Sequence, residues 1–409
     1  MQRGTNLGRL GDFNQAVIFD SIRRAEDGIS RVELATSTGL SPQTISNVVR
    51  RLLDNGFVRE DRTVISGPGK PRTVLELEAD RLFAIGIHLD PGQITVVMVN
   101  LRGRVVGSRR FVERDIAVPE ETISMMATAV EELIKDSGQP KDHIVGIGVA
   151  APGPINPESG TIVSPPLMNG WNEVEVVEPL VERLSLDVLI EKDSVASAIA
   201  EQWNGDEARD RNFMSVYIGT GVGVGMVIGG EVIRGASSNA GEIARVRVNV
   251  DGSDADRAES STFATAVSFP SVLTKARELG VDVGAVTEDA TMHERSQFLN
   301  TIVRQAKGGD EASVALIKVL NGYWASLVSQ LTNTFDVDKV FVGGPVWAEL
   351  HELLHEDMDR ILQERFLMKD VHELDVRTSE LGHNLGAIGG ACAVLDAALS
   401  PKASALLLR

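Results

Sequence analysis

Residues 28–56 read GISRVELATSTGLSPQTISNVVRRLLDNG, and their spacing describes two short helices joined by a tight turn. The first opens on Ser30-Arg31-Val32-Glu33, a capping box in which the Ser side chain takes an orphan backbone N–H and the Glu reaches back to the cap. Gly39 stops it. Ser41 then caps the second helix, and Pro42 fits its first turn, where a missing N–H costs nothing. Ile45, Val48, Val49, Leu52 and Leu53 recur at helical spacing as the buried stripe of that helix. Gln43, Thr44, Ser46, Asn47 and Arg50 are left facing away from it.

Those outward residues are of the types that read a duplex. Gln and Asn pair with adenine in the major groove, Ser and Thr adapt to several base edges, and Arg50 and Arg51 suit guanine or phosphate. Downstream, Val58-Arg59-Glu60 and Thr73 to Leu77 read as strands enclosing the basic loop Ser66 to Arg72. That loop reads as a wing, with Lys70 and Arg72 directed at the minor groove or the backbone. A small helical bundle with a polar outer face is the alternative, since a helix pair alone is a weak signal. Helix pair, caps and basic hairpin together favour DNA binding.

Charge divides the chain in the same place. Residues 1–75 carry 11 Lys and Arg against 8 Asp and Glu, while the remainder carries 29 against 50, within a chain of net charge −18. So acidic a protein cannot hold DNA through bulk attraction; binding must be local and needs two heads acting together, which predicts a dimer or higher homo-oligomer.

The 409 residues, 43% hydrophobic and 24% charged, supply a head and two further lobes with sizeable cores. The first residues, MQRGTNLGRLGDFNQ, lack the apolar stretch of a signal peptide, and the most apolar segment, near Val216 to Gly230, is interrupted by Gly and Thr. The expectation is a cytoplasmic protein with no membrane contact. A single cysteine, Cys392, excludes an internal disulfide and any cysteine cluster for zinc, and reads as a buried, inert thiol.

Beyond Asp80 the patterning changes to strands. Leu82 to Leu89, Ile94 to Asn100 and Arg104 to Val112 form a meander, followed by a helix over Pro119 to Lys135 and a buried strand from His143 to Val149. Val188 to Ile190 is another strand, delivering Glu191-Lys192-Asp193 to a helix spanning Val195 to Trp203. The pattern then repeats: strands at Phe213 to Ile218, Val224 to Ile228 and Glu231 to Ile233, a helix from Glu311 to Phe335, a strand at Val340 to Val342, and a last helix from Leu385 to Leu399. The predicted class is α/β, with two mixed-sheet lobes enclosing a cleft lined by strand ends and turns.

The run Gly146-Ile147-Gly148-Val149-Ala150-Ala151-Pro152-Gly153-Pro154, with Lys192-Asp193, Gly219-Thr220-Gly221-Val222-Gly223-Val224-Gly225, Ala240-Gly241-Glu242-Ile243, Val342-Gly343-Gly344 and Gly389-Gly390-Ala391, resembles the ROK family of repressors and sugar kinases over nearly the whole chain. With a winged head in front, it is similar to the repressor branch, which includes xylose and N-acetylglucosamine repressors. The resemblance implies an actin-like, ribonuclease-H-like pair of lobes with a sugar between them. It divides the chain into a winged helix-turn-helix at 1–80, a first lobe at 81–192 plus 382–409, and a second at 193–381.

Departures from the family pattern bear on chemistry. ROK kinases carry an Asp followed by a Gly-Gly-Thr turn that positions Mg²⁺ and phosphate, whereas this chain has Gly86-Ile87-His88-Leu89-Asp90-Pro91-Gly92. His88 replaces the Asp, and Pro91 removes a backbone donor from the turn, so ATP is poorly served. The family's catalytic base aligns with Asp193, which in a regulator simply accepts the sugar's hydrogen bond. The His that would bind zinc and sugar has become Arg245 in Ala244-Arg245, and Asp251 to Ser261 lacks the family's cysteine trio. The reading is of no metal, no cofactor and no catalytic residue, with a ROK-type kinase bearing an added head as the alternative. Control by a partner protein instead of a small ligand is a third reading.

Asn169, in Leu167-Met168-Asn169-Gly170-Trp171, lies in a stretch that resembles the turn bringing an Asn to the sugar in relatives. Lys192 and Arg245 are two cations expected near Asp193 and Glu242. Either they receive an acidic or phosphorylated sugar, or they pair with those carboxylates and fill a dead pocket. Finally, His351-Glu352-Leu353-Leu354-His355 has zinc-peptidase spacing, but its helix buries Leu350, Leu354, Met358, Ile361 and Leu362 and sends Glu352 to the polar side, so it reads as ordinary helix.

Overall fold

The computed structural model describes residues 7–64, 71–112, 118–205, 211–249 and 260–400. Helix α1 (Leu7–Arg24) was not foreseen; it lays Ile18, Phe19 and Ile22 against the helix pair α2 (Arg31–Thr38) and α3 (Pro42–Asp54). A short β1 (Ile29–Ser30) and β2 (Val58–Val64) flank β3 (Arg72–Leu77) in a three-stranded sheet that closes the head. The caps form as the sequence dictates: the Glu33 amide donates to Ser30 Oγ at 3.3 Å while the Ser30 amide donates to Glu33 Oε2 at 2.8 Å, and Gly39 ends α2 at φ 67°. The Ser30 hydroxyl and amide, both donating to Glu33 Oε2, hold the Glu33 carboxyl below its ordinary range.

The first lobe is built on β4 (Phe83–Asp90), β5 (Gln93–Asn100) and β6 (Val105–Val112), an antiparallel meander. After helix α4 (Pro119–Ser137), β7 (Ile144–Ala151) joins β4 in parallel. A small side sheet follows, of β8 (Ile155–Asn156), β9 (Thr161–Ile162) and β10 (Val174–Glu175). Helix α5 (Val177–Leu184) then leads to β11 (Val188–Lys192), parallel to β7, and α6 (Asp193–Asn204) starts without a break. The sheet order is β11-β7-β4-β5-β6.

The second lobe repeats the plan. Strands β12 (Phe213–Ile218), β13 (Val222–Ile228) and β14 (Glu231–Val232) form the meander, then a ribbon of β15 (Arg247–Asn249) and β16 (Ser260–Thr262) precedes helices α7 (Phe263–Ala266), α8 (Phe269–Glu278), α9 (Met292–Lys307) and α10 (Glu311–Phe335). Strand β17 (Lys339–Gly343) pairs in parallel with β12, α11 (Pro345–Arg365) crosses over, and β18 (Asp375–Thr378) completes the order β14-β13-β12-β17-β18. The chain returns in α12 (Leu385–Leu399), which packs on β4 and β7 of the first lobe and on α6.

Between the lobes, glycine decides how closely backbones approach. A Cβ on Gly389 of α12 would stand 2.0 Å from the Ala196 carbonyl oxygen of α6, and one on Gly225 of β13 would stand 2.0 Å from the Ser194 oxygen. Helix α6 is therefore gripped on both sides through backbone contact, with Ser194, Ala196, Ser197, Ala198 and Ala200 buried. A single apolar cluster runs from the head (Ile18, Ile22, Leu34, Ile45, Val49, Leu75) into Val195, Ile199, Trp203, Leu385 and Ala391. Cys392 lies within it, and burial pushes its thiol up.

No helix among the described residues is long and apolar enough to cross a membrane. The HExxH stretch lies on α11 with Leu350, Leu354, Met358 and Leu362 buried. His351 Nδ1 faces the Ala348 carbonyl at 3.1 Å and His355 Nδ1 faces Thr378 Oγ1 at 3.2 Å.

Candidate functional site

On the head, α3 buries Ile45, Val48, Val49 and Leu52 and turns Gln43, Asn47, Arg50 and Arg51 outward. Gln43 Nε2 donates to Asn47 Oδ1 at 3.1 Å, aligning two amides along the exposed ridge. Thr44 and Ser46 are half-buried at its margin, and the Thr44 amide and hydroxyl both face the Ser41 cap, so Thr44 serves the helix start as well as the surface. In the hairpin, Arg59 meets Glu76 and Glu78, Arg62 meets Asp61, and Arg31 meets Glu60. Arg50 and Arg51, both exposed, form no ion pair among the described residues. Arg72 is exposed on β3; the wing tip, with Lys70, lies outside the described residues.

The cleft is assembled from strand ends. Lys192 closes β11 and Asp193 opens α6, so the two adjoin at a strand-to-helix junction. Lys192, 4% exposed, pairs with Glu242 at 2.5 Å and donates to the Ala240 carbonyl at 3.1 Å and to the Asn239 carbonyl at 3.5 Å. Gly241 lets that loop lie on β13: its φ is 82° and a Cβ would stand 1.8 Å from the Val224 oxygen. Gly153 similarly leaves room for Lys192, Asn239 and Glu242, each of which a Cβ would meet within 3.1–3.3 Å. Asn239 bridges the lobes, accepting from the Ile155 N–H and donating to the Ile155 carbonyl, both at 2.8 Å.

Burial raises the Asp193 carboxyl to about 7, with Asp90 and Glu242 adding to the rise and Lys192 and the Ser194 N–H opposing it. Burial likewise pushes the Tyr217 hydroxyl well up and the His88 ring down toward the neutral form, Asp90 opposing the latter. His88 stands edge-on to Tyr217 with ring centroids 5.3 Å apart, and neither ring nitrogen has a hydrogen-bond partner among the described residues.

The sequence reading passed over Asp90 itself. This residue, 4% exposed at the end of β4, accepts the Gly92 N–H at 2.8 Å, the Thr220 N–H at 3.3 Å, the Tyr217 hydroxyl at 3.4 Å and the Thr220 hydroxyl. Donors of the Gly219-Thr220-Gly221 turn thus already hold a carboxylate. The signal was an acidic residue in a Pro-Gly turn, and nothing local says which donors it meets across the cleft.

Of the five expected cleft residues, Lys192, Asp193 and Glu242 come together. Asn169 and Arg245 do not join them. Asn169 is exposed on the turn whose Leu167 faces Gly221, and Arg245 is exposed beyond the buried Ile243, with no bond to Asp193 or Glu242. The expectation of two cations beside the carboxylates is thus corrected to one, because the turn after Ile243 carries Arg245 to the surface.

A sequence model described as "ROK family" matches residues 84–397, and one described as "Winged helix-turn-helix DNA-binding" matches residues 21–59. The chain belongs to the ROK family. Among relatives of this ROK protein, the putative xylose repressor of Caldicellulosiruptor sp. (strain Rt8B.4) is 26% identical, covering 90% of this chain and 92% of its own. The DNA-binding transcriptional dual regulator NagC of Escherichia coli (strain K12) is 24% identical, covering 97% and 95%. Among solved structures, a ROK family transcriptional regulator described as a homolog of the E. coli MLC protein has TM-score 0.71 at 20% identity, covering 95% of this chain and 96% of its own. A ROK family glucokinase from Streptomyces griseus has TM-score 0.61 at 20% identity, covering 76% of this chain and 98% of its own. The body of this ROK protein is the two-lobed fold common to both, and its head is a winged helix-turn-helix.

Proposed function

We propose that this protein is a DNA-binding repressor of carbohydrate genes whose operator affinity is set by a sugar held between the lobes. The observation that carries the reading is that one chain joins a duplex-reading head to a sugar-kinase-type cleft through a continuous core. In this reading Gln43, Thr44, Ser46, Asn47, Arg50 and Arg51 meet the major groove, and Lys70 and Arg72 meet the wing's groove or phosphates. Two heads of a homodimer, or of a tetramer acting in pairs, meet half-sites about 34–36 Å apart.

The effector contacts are Asp193, Lys192 and Glu242, with the exposed Asn169 and Arg245 outside that group. Because Lys192 is already neutralised by Glu242, and the neighbouring Asp193 feels the negative charge of Asp90 and Glu242, the cleft favours an uncharged polyol over a phosphorylated or acidic sugar. Sugar binding favours one lobe arrangement, reorients the heads and lowers operator affinity. The test is operator binding by fluorescence anisotropy, with operators selected from genomic fragments, in the presence of neutral sugars and sugar phosphates. A fall in affinity with neutral sugars alone supports the reading; operator affinity indifferent to every sugar counts against it.

A second reading, a ROK-type kinase with an added head, is supported by Asp193, whose carboxyl, raised to about 7 beside Lys192, would suit a general base near neutral pH. The Asp90 carboxylate among the donors of the Thr220 turn weighs against it, since a nucleotide phosphate would have to displace a resident anion. ATP-dependent phosphorylation of a sugar panel at enzymatic rates would establish the second reading.

A further inference from the structure

Helix α6 has one end in the cleft and the other under the head. Its first residue is Asp193; about 15 Å away, at 1.5 Å per residue, lies Trp203 in its last turn. The Arg23 guanidinium of α1 stacks 3.9 Å above the Trp203 ring and donates to the Trp203 carbonyl at 2.9 Å, while Arg24 donates to the Gln202 carbonyl at 3.3 Å. The head thus caps the carbonyl end of α6, where unpaired acceptors and the helix dipole favour cations. Arg23 is only 3% exposed and is held by Asp20 through two nitrogens, at 2.8 and 3.0 Å. Burial disfavours the Asp20 charge, yet Arg23 and Arg24 outweigh it and hold that carboxyl below its ordinary range. Arg102 of the first lobe locks the joint from beside it, donating to the Arg23 carbonyl at 3.0 Å.

We propose that α6 is the transmission rod of the regulator and that the Arg23–Trp203 stack is the joint at which the head reads the cleft. The inference rests on the function proposed above and specifies its regulation. A displacement of the first turn of α6 cannot be absorbed by soft side chains, because Gly225 and Gly389 bring β13 and α12 into backbone contact with it. It passes to the last turn, where Trp203 and two carbonyls carry α1, and α1 carries the helix pair through Ile18 and Ile22.

The test uses the full chain and two variants that alter opposite ends of the rod. Measured at about pH 8, where the Asp193 carboxylate is ionised, Asp193→Asn removes the charge at the first turn, and Arg23→Lys keeps the joint's charge but loses the flat stacking and the paired bonds to Asp20. Amide hydrogen exchange over residues 16–24 is expected to change about threefold or more in Asp193→Asn, and to change less when Arg23→Lys is also present. Identical exchange over 16–24 in wild type and Asp193→Asn overturns the proposal, as does an equal change in both backgrounds. This readout needs no effector. The proposed function is judged separately by whether D-xylose, D-glucose or N-acetylglucosamine alters wild-type operator affinity. Where one does, Arg23→Lys should still bind it, with the same rise in melting temperature, but lose the operator response. An undiminished operator response in Arg23→Lys also overturns the proposal.

Discussion

The Asp90 carboxylate, on the last residue of β4, reaches across the cleft to the Thr220 hydroxyl and backbone N–H in the β12–β13 turn. Gly92 makes the approach possible, since a Cβ there would stand 2.7 Å from Thr220 Oγ1. Asp90 and its donors tie the lobes at this turn, as Asn239 does at Ile155 and Lys192 at the Asn239–Glu242 loop.

Removing that anion leaves four donors without their acceptor. Asp90→Ala is expected to lower stability by about 2–3 kcal/mol and Thr220→Val by about 1 kcal/mol, with the double variant costing less than the sum because both act on one contact. Urea titration of the four proteins checks this, and strict additivity would show the two residues to be independent.

The head can be tested by truncating its outward side chains. Asn47→Ala and Arg50→Ala should each cost about 1–3 kcal/mol in operator affinity and relax sequence preference, while Arg72→Ala should weaken all duplexes alike and reduce the salt slope by about one. Anisotropy against specific and random duplexes over a salt series separates the two behaviours.

Asp193 makes stability depend on pH with a definite sign. Its carboxyl is raised to about 7 in the folded chain, so the native state holds a proton that the unfolded state has released from about pH 4 upward. The contribution is fully present below pH 4 and is lost as pH rises through about 7. Melting temperature should therefore fall less steeply over that window in Asp193→Asn than in the wild type; superimposable pH profiles would contradict the assignment.

Glycine contacts around α6 should be unforgiving. Gly225→Ala and Gly389→Ala place a methyl within 2.0 Å of backbone oxygen and should cost more than about 3 kcal/mol or prevent folding. Gly138→Ala, at φ 65° with no neighbour in reach, should cost about 1 kcal/mol. Circular dichroism on heating ranks the three.

What the sequence disclosed was local. The Ser30–Glu33 box, the Ser41–Pro42 start and the α10 and α12 boundaries follow from spacing and caps, and the structure places them where they were read. Asp90 and Arg23 were missed for one reason: their partners, Thr220 and Trp203, lie 130 and 180 residues away, and no periodicity reports a contact between elements so far apart in the chain. Arg245 failed in the opposite direction, being near the site in sequence and turned out of it by the chain. Helix α1 was legible in principle from Ile18 and Ile22, but its polar first half hid the pattern.

The apolar cluster shared by head and body has an evolutionary corollary. A winged module floored by Val195, Ile199 and Trp203 cannot be transplanted onto a foreign partner without a matching floor, nor severed at the nominal boundary near residue 80 without baring Ile18 and Ile22 to water. Shuffling of such regulators should conserve the junction and vary the reading ridge, so new specificities arise by point changes on α3 in preference to exchange of whole heads.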